Sequence, residues 1–216
     1  MKLSAAIFDL DGTVIDSEGA WGKAFHNILK SLGIDARETH PEEVGVEVKE
    51  NWRRLLIRFD IKTEKTLDDL RSLTYSEYMN FIPEISINDG VLEFIENLKD
   101  SGALVALATS TSWEVTNKVL NSLKIEELFT YITTGEEVIN EKPAPDIFLM
   151  AAEKMNLDPE NCLVLEDSHS GVEAASEAEM KVIAIDPEEK DSKSLSKANL
   201  VVGGFSEISV KIIEEL

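Results

Sequence analysis

Near its start the chain reads Ala5-Ala6-Ile7-Phe8-Asp9-Leu10-Asp11-Gly12-Thr13, an apolar run followed by two acidic residues and a glycine. The apolar run is typical of a buried β-strand, in which residues i and i+2 point to the same side. We therefore expect Asp9 and Asp11 to converge at the carboxyl end of that strand, where open α/β sheets bind ligands. Two carboxylates brought together need a cation or a shared proton, so the pattern predicts a Mg²⁺ site with a nucleophilic carboxylate.

Apolar runs alternate with helical patterns over the rest of the chain. Further strands are predicted at 105–108, 131–133, 163–165, 182–185 and 200–202. Helices are predicted from Val91 to a stop at Gly102, and at 113–123, 145–155, 171–179 and 208–216. Continuous apolar strands that alternate with helices predict an α/β fold built on a doubly wound parallel sheet.

Residues 16–84, by contrast, show helical spacing and no strand pattern. One stripe runs from Trp21 to Leu32, a further helix is predicted to begin at Pro41, and two more stripes follow before Phe81. The chain is therefore predicted to form an α/β core domain from 1–15 and 86–216, with an inserted α-helical domain at 16–85. Segments 13–17 and 83–88 are predicted to be the hinges of this insert, whose closure gates the site.

Composition narrows the classes of partner. The chain has 216 residues, and its 42 acidic against 21 basic residues give a net charge of −21, which disfavours nucleic acid and anionic membranes as partners. No signal peptide or membrane-spanning run is expected. The single cysteine, Cys162, lies in an apolar run and fits a reducing, cytoplasmic location. No strongly apolar exposed stripe is evident, so a monomer is expected.

Three more predicted strand ends carry polar residues. Thr109-Ser110-Thr111 precede a helix and suit either a phosphate or a simple helix cap. Lys142 lies in a predicted loop between Glu141 and two prolines. Its ammonium is either positioned by this loop for a function or that of an ordinary surface lysine. The pair Glu166-Asp167 suits metal ligation or a solvated turn.

Taken together and in this order, the four segments resemble the motifs of the haloacid dehalogenase superfamily, and the resemblance covers the whole chain. Lys-Pro-x-Pro-Asp-Ile-Phe at 142–148 and Glu-Asp-Ser-x-x-Gly at 166–171 are similar to strings of the β-phosphoglucomutase-like branch. That branch has a Rossmann-like core and a small α-helical cap inserted after the first motif, which the helical insert resembles.

The resemblance implies a role for each motif residue. Asp9 would be the nucleophile that becomes an aspartyl-phosphate, and Asp11 the general acid and base. Thr109 and the backbone N–H of Ser110 would hold phosphoryl oxygens, with Lys142 offsetting the charge between Asp9 and the phosphoryl group. Mg²⁺ would be bound by Asp9, the backbone carbonyl of Asp11 and Asp167, with Glu166 in the outer shell.

The acid at position 11 favours a phosphatase or a phosphomutase over the dehalogenases and phosphonate-cleaving relatives, which lack it. β-Phosphoglucomutases have a histidine where this chain has Trp21, and an arginine shortly after a Gly-Val pair. Here Gly45-Val46 is followed by Glu47, Val48 and Lys49, and Lys49 would substitute only with a register shift. The predicted activity is therefore hydrolysis of small phosphorylated metabolites such as sugar phosphates, with a sugar phosphomutase as the alternative.

On the cap side, Glu18, Trp21 and Lys49 are the candidate substrate contacts, with Trp52 and Arg53 beside them. A non-catalytic phosphometabolite-binding protein is a third hypothesis, against which Asp11 argues because a mere binder has no use for an acid–base group. The chain departs from the family at Glu179, where a glycine commonly ends the helix in a left-handed conformation.

Overall fold

The computed structural model describes residues 3–34, 46–187 and 195–216. Its α-helices are α1 (Glu18–Ser31), α2 (Val48–Arg58), α3 (Leu67–Phe81), α4 (Val91–Asp100), α5 (Trp113–Leu123), α6 (Asp146–Met155), α7 (His169–Glu177) and α8 (Val210–Glu215). Its strands are β1 (Ala5–Phe8), β2 (Ile15–Asp16), β3 (Ser86–Ile87), β4 (Leu104–Thr109), β5 (Tyr131–Thr134), β6 (Cys162–Glu166), β7 (Lys181–Ile185) and β8 (Leu200–Val202). Short 3-10 turns lie at Ile82–Glu84, Glu126–Leu128, Gly135–Glu137, Pro159–Asn161 and Phe205–Glu207.

A six-stranded parallel sheet has the order β5-β4-β1-β6-β7-β8, which confirms the predicted doubly wound α/β fold. Phe8 of β1 lies opposite Leu107 of β4 on one side and Leu165 of β6 on the other. The chain builds the sheet outward through β4 and β5, then returns to β6 on the other side of β1. The order therefore reverses beside β1, and at such a point a crevice opens at the carboxyl ends of the strands.

Helices cover both faces of the sheet because the strands are apolar on both sides. Ala6 and Phe8 of β1 belong to one buried cluster, together with apolar residues of α4, α5 and the C-terminal segment. Ala5 and Ile7 belong to a second buried cluster with α6 and α7. The alternation in β1 thus anchors the strand from two sides and fixes where Asp9 emerges.

The three helices α1, α2 and α3, here called the helical insert, lie between β2 and β3 in the chain. They enclose a third buried apolar cluster, made of Phe25, Ile28, Leu29, Val48, Trp52, Leu55 and Leu70. Thr66 begins α3 with a capping box to Asp69, and the buried indole Nε1 of Trp52 donates to Thr74 Oγ1 at 2.8 Å. The insert therefore has an apolar core of its own, while the predicted domain boundaries stay a prediction.

Both connections between the insert and the sheet run through a two-stranded antiparallel ribbon. Ile15 pairs with Ile87, and Asp16 with Ser86. The expectation that residues 16–84 contain no strand is wrong at Asp16, because a strand of two residues is too short to show alternation. The segments predicted as hinges are thus paired with each other. Asn88 adds hydrogen bonds from its Nδ2 to the carbonyls of Gly12 and Thr13, at 2.8 and 2.9 Å.

The helix predicted to begin at Pro41 and the residue Gly45 lie outside the described residues. None of the helices that the structure describes is long and apolar enough to cross a bilayer. Glu179 adopts φ +58°, so the left-handed conformation expected there is kept although the residue is not glycine.

Candidate active site

Asp9 lies directly after β1, at the crevice, where it meets Lys142. The Lys142 Nζ is 2.5 Å from Asp9 Oδ1 and 2.7 Å from Glu166 Oε1, and all three side chains are buried. Lys142 comes from the loop before α6, and Glu166 is the last residue of β6. One buried ammonium therefore links the carboxyl ends of two neighbouring strands.

Carboxyl groups outnumber ammonium groups at this position. Asp9, Glu166 and Asp167 supply three carboxyl groups around the single ammonium of Lys142. Burial raises the pKa of Asp9 to about 8, against the lowering effect of Lys142 and together with the charge of Glu166. Burial, then the charges of Glu166 and Asp9, raise the pKa of Asp167 well above its usual range. Burial disfavours the charged form of Lys142, but Asp9 and Glu166 outweigh it and raise the pKa of this lysine.

Two glycines make room for these carboxylates. A Cβ on Gly171 would lie 1.6 Å from Glu166 Oε1, and one on Gly12, which has φ +87°, would lie 2.1 Å from Asp167 Oδ2. Glu166 Oε2 accepts hydrogen bonds from the backbone N–H groups of Asp167 and Ser168, at 2.8 and 2.7 Å. The segment Glu-Asp-Ser-x-x-Gly thus forms a turn that holds Glu166 in place. Gly171 has no side chain and so leaves room for the Glu166 carboxylate.

Asp11 is held by four hydroxyl or indole donors. Its Oδ1 accepts from Ser17 Oγ at 2.7 Å, from Trp21 Nε1 at 2.8 Å and from the Tyr78 hydroxyl at 3.4 Å. Its Oδ2 accepts from Thr111 Oγ1 at 2.8 Å. Burial and the charge of Asp11 raise the pKa of Tyr78, which keeps this hydroxyl protonated as a donor. Since Trp21 and Tyr78 belong to the helical insert, the insert fixes the orientation of a carboxylate at the sheet edge.

The segment after β4 completes the crevice. Thr109 is buried, and its Oγ1 accepts from the backbone N–H of Thr111 at 3.1 Å, which folds 109–112 into a turn before α5. Thr109 and Ser110 both line the same cavity as Asp9. A hydroxyl and a turn at a helix start form a suitable place for an anion such as a phosphoryl group.

A cavity of about 110 Å³ lies between the sheet edge and the helical insert. Of the sequence-predicted site residues, it brings together Asp9, Asp11, Glu18, Trp21, Thr109, Ser110, Lys142 and Asp167. Glu166 lies behind Lys142 rather than on the cavity wall.

Three cap residues considered from the sequence lie elsewhere. Lys49, the second residue of α2, is not on the cavity wall, and its ammonium pairs with Asp68 of α3 at 2.7 Å. Trp52 is fully buried in the core of the insert. Arg53 pairs with Glu50 on the same helix. Helical periodicity explains all three, because α2 turns a different face toward the cavity.

Sequence reasoning missed Ser17, Glu47, Tyr78 and the role of Thr111. Ser17 and Thr111 are close in sequence to residues of the predicted site, and this proximity could have indicated that they contribute to it. Tyr78 lies on an apolar helical stripe, and Glu47 precedes α2, and neither pattern indicates a polar contact. Their placement depends on how the insert packs against the sheet.

The donor set suits Mg²⁺. Across the ranges that the structure describes, no cluster of three or more acidic, histidine or cysteine side chains is arranged to enclose an ion. Mg²⁺, however, is commonly held by only one or two carboxylates, with water and substrate oxygens completing its shell. Asp9 and Asp167 are two such carboxylates, and a hard cation would offset the repulsion among the three carboxyl groups crowded around Lys142.

Comparison with known proteins shows which family the chain belongs to. Residues 6–185 match the family model described as haloacid dehalogenase-like hydrolase, and the chain belongs to that family. It is 31% identical to a phosphorylated carbohydrates phosphatase of Thermotoga maritima, over 99% of this chain and 100% of the relative. It is 28% identical to hexitol phosphatase B of Escherichia coli O157:H7, over 97% of this chain and 96% of the relative.

A solved structure is similar along the whole chain as well. The crystal structure of β-phosphoglucomutase from Clostridium difficile superposes with a TM-score of 0.87 at 29% identity, covering 99% of this chain and 96% of that one. The fold is therefore the α/β fold of haloacid dehalogenase-like proteins, and the resemblance to this family seen in the motifs is confirmed.

Proposed function

We propose that the protein is a Mg²⁺-dependent phosphatase that hydrolyses small phosphorylated metabolites, foremost sugar phosphates, through an aspartyl-phosphate on Asp9. The broader class, phosphoric monoester hydrolase, rests on the family and on its phosphatase relatives. The observation that carries the proposal is a shared cavity: Asp9 with its Lys142 partner, Asp11 and Asp167 all line it. A nucleophile, an acid–base group and a charge-neutralising cation at one place are the requirements of phosphoryl transfer.

The residues divide the chemistry in two steps. A carboxylate oxygen of Asp9 attacks phosphorus, the bond to the ester oxygen breaks, and Asp11 gives that oxygen its proton. Asp11, now ionised, then takes a proton from water, whose oxygen attacks phosphorus and releases phosphate and Asp9. Lys142 keeps the Asp9 carboxylate oriented at 2.5 Å and offsets the charge that gathers on the phosphoryl oxygens.

The remaining residues bind and position the substrate. Thr109 and the backbone N–H of Ser110 would hold phosphoryl oxygens. Asp9, the backbone carbonyl of Asp11 and Asp167 would hold Mg²⁺, with Glu166 in the outer shell. The metal would supply neutralisation of negative charge on the phosphoryl group. The insert lines one side of the cavity and positions Asp11 through Trp21 and Tyr78.

A sugar phosphomutase is the second candidate, favoured by the similarity to β-phosphoglucomutase. A mutase must hold a second phosphate while its intermediate turns around. Among the described residues that line the cavity, Lys142 is the one cationic side chain, and it is already engaged by Asp9 and Glu166. This charge pattern supports a phosphatase.

The deciding experiment measures phosphate release from phosphorylated sugars, nucleotides and small acids, with Mg²⁺ and with EDTA, beside a sugar-phosphate isomerisation assay. Release that depends on Mg²⁺ is expected. Isomerisation with little release would establish the mutase instead, and tight binding with neither reaction would establish a non-catalytic protein.

We further propose that the protein works in the cytoplasm as a monomer, without nucleic acid or membrane partners. The net charge of −21 and the buried, unpaired Cys162 support this.

A further inference from the structure

Glu47 is a buried acid at the cavity whose two oxygens have different surroundings. It is 8% exposed and stands just before α2 as its N-cap. Its Oε2 accepts hydrogen bonds from the backbone N–H groups of Lys49 and Glu50, at 2.5 and 3.1 Å. Its Oε1 is buried and has no hydrogen-bond partner among the described residues. Buried polar atoms are rarely left without a partner, so an unpartnered acceptor on a residue that lines a cavity indicates a ligand.

The charge of Glu47 is already partly balanced. The start of α2 offers amide N–H groups and the positive end of the helix dipole to its carboxylate. Lys49 and Arg71 also lower its pKa, although burial outweighs them and leaves the pKa raised. What remains unsatisfied is one acceptor direction at Oε1. A neutral O–H group meets that need without bringing in a second cation.

The rest of this wall is apolar and acidic. Trp21, Phe25 and Tyr75 line the cavity beside Glu47, and Glu18 adds a second carboxylate. Aromatic faces pack against the C–H face of a sugar or polyol, whereas the carboxylates repel a second phosphate. Among the described residues that line the cavity the one cation is Lys142, and it is engaged by Asp9 and Glu166.

We propose that Glu47 is a specificity-determining residue that accepts a hydrogen bond at Oε1 from a hydroxyl group of the substrate's leaving group, so that the site selects monophosphates of neutral sugars or polyols and rejects bisphosphates. This inference rests on the proposed function, since it deepens the substrate class of the same site. It also gives the reason why the cavity disfavours the bisphosphate intermediate of a mutase.

The test measures binding, so that it does not depend on turnover. Calorimetry is carried out on the Asp9→Asn variant with Mg²⁺, using glucose 6-phosphate, fructose 6-phosphate, sorbitol 6-phosphate, ribose 5-phosphate, glucose 1,6-bisphosphate, phosphoethanolamine and inorganic phosphate. Glu47→Ser is then added, since serine can still cap α2 but lacks the Oε1 acceptor. Glu50→Ser, at a residue of the same helix turn that does not line the cavity, is the matched control, and melting temperatures verify that each variant is folded.

At least one of the four sugar or polyol monophosphates should bind more tightly than inorganic phosphate and at least about tenfold more tightly than the bisphosphate. Glu47→Ser should weaken the binding of that monophosphate by about tenfold or more, because a hydrogen bond to a charged group is lost. The binding of inorganic phosphate should weaken much less. Glu50→Ser should change neither. Glu47→Lys should bring the affinity for the bisphosphate closer to the affinity for the monophosphate.

Several results would overturn the inference. Equal loss of monophosphate and inorganic phosphate binding in Glu47→Ser would make Glu47 a helix cap only. Preference for phosphoethanolamine, lost in Glu47→Ser, would make it a site for an ammonium group. Failure of all four monophosphates to bind better than inorganic phosphate would also reject it. If the unmodified chain released no phosphate while Glu47→Ser weakened monophosphate binding as expected, the proposed function would fail and this inference would stand.

Discussion

The indole Nε1 of Trp21 donates a 2.8 Å hydrogen bond to Oδ1 of Asp11, so a helix of the insert holds a carboxylate that emerges from the sheet. The same indole stacks on Tyr78, with ring centroids 3.8 Å apart and an interplanar angle of 22°. Tyr78 in turn offers its hydroxyl to the same oxygen of Asp11. Two aromatic residues that resemble an apolar stripe in the sequence thus act as one polar support.

Replacing Trp21 with Phe keeps the aromatic packing but removes the N–H donor. We expect kcat to fall by about tenfold, since a hydrogen bond to a charged group contributes about 1.5–3 kcal/mol and Asp11 loses part of its support. Steady-state kinetics on the best substrate measure the change. Trp113→Phe, which alters an exposed tryptophan at the start of α5, is the control. An unchanged kcat would mean that Ser17 and Thr111 are enough to position Asp11.

Asp9→Asn removes the proposed nucleophile. Turnover should fall by about 10³-fold or more, because loss of a nucleophile removes the covalent route. Phosphate release under saturating substrate measures it, and Asp100→Asn, an exposed acid at the end of α4, is the control. Near-normal turnover in Asp9→Asn would assign the nucleophile to another residue.

Gly171→Ala tests the close packing around Glu166. The added Cβ would lie 1.6 Å from Glu166 Oε1, so Glu166 must move and its contact with Lys142 is disturbed. We expect a loss of about 1–3 kcal/mol in the free energy of unfolding, the usual effect of overpacking, together with lower activity. Urea denaturation and phosphate release measure both.

Gly19→Ala is the matched control for that substitution. Gly19 lies in α1 with nothing within 4 Å of the added Cβ, and alanine has the higher helix propensity. Its stability should stay level or rise by up to about 1 kcal/mol. Equal behaviour of the two variants would contradict the packing account.

Glu179 offers a stabilising substitution. It follows α7 with φ +58°, its N–H donates to Ser176 O at 3.0 Å, and that of Met180 donates to Ala175 O at 3.1 Å. This is the hydrogen-bond pattern of a Schellman ending, in which glycine is favoured. Glu179→Gly should raise the free energy of unfolding by about 1 kcal/mol, as judged by urea denaturation. Glu179→Ala, which keeps a Cβ, should gain nothing; an equal gain would point to charge instead of backbone strain.

Glu141 makes stability depend on pH. Burial, then the charge of Glu47, raises its pKa from its usual 4.5 to about 7. The folded chain therefore binds this proton more tightly than the unfolded chain, so the contribution of Glu141 to stability is lost as pH rises from 4.5 to about 7. In Glu141→Gln this loss is absent.

The measurement is the urea midpoint of both proteins between about pH 5 and pH 8. The stability of Glu141→Gln relative to the unmodified chain should increase across that interval. Glu160→Gln, at an exposed acid, should run parallel to the unmodified chain. A parallel curve for Glu141→Gln as well would show that Glu141 titrates alike in both states.

The sheet was predictable from sequence because its strands are buried on both faces and read as continuous apolar runs. The strand predicted at 163–165 is Cys162–Glu166, and the one at 200–202 is Leu200–Val202. The residues at strand ends could be grouped in advance because parallel strands end at one edge. The motif residues Asp9, Asp11, Thr109 and Lys142 indeed line one cavity.

Contacts between the insert and the sheet could not be predicted in the same way. Whether a residue such as Lys49, Trp52 or Tyr78 faces the cavity depends on the rotation of its helix and on how three helices pack over the sheet. Those are long-range relationships that periodicity does not contain. For the same reason the sequence revealed a helical insert but not which of its side chains reach Asp11.

The ribbon formed by Ile15–Asp16 and Ser86–Ile87 places the entry and the exit of the insert side by side. Paired antiparallel residues have Cα atoms only about 4.5–5.5 Å apart, a gap that a tight two-residue turn can close. The chain of the insert therefore leaves and rejoins the core at one place, and its other contacts with the core, such as those of Trp21 and Tyr78 with Asp11, are made by side chains. An insert of different length or origin can be spliced in at this ribbon without changing the order of the sheet. The insert, which carries Trp21 and Tyr78, is thereby separable in protein engineering from the sheet that carries Asp9.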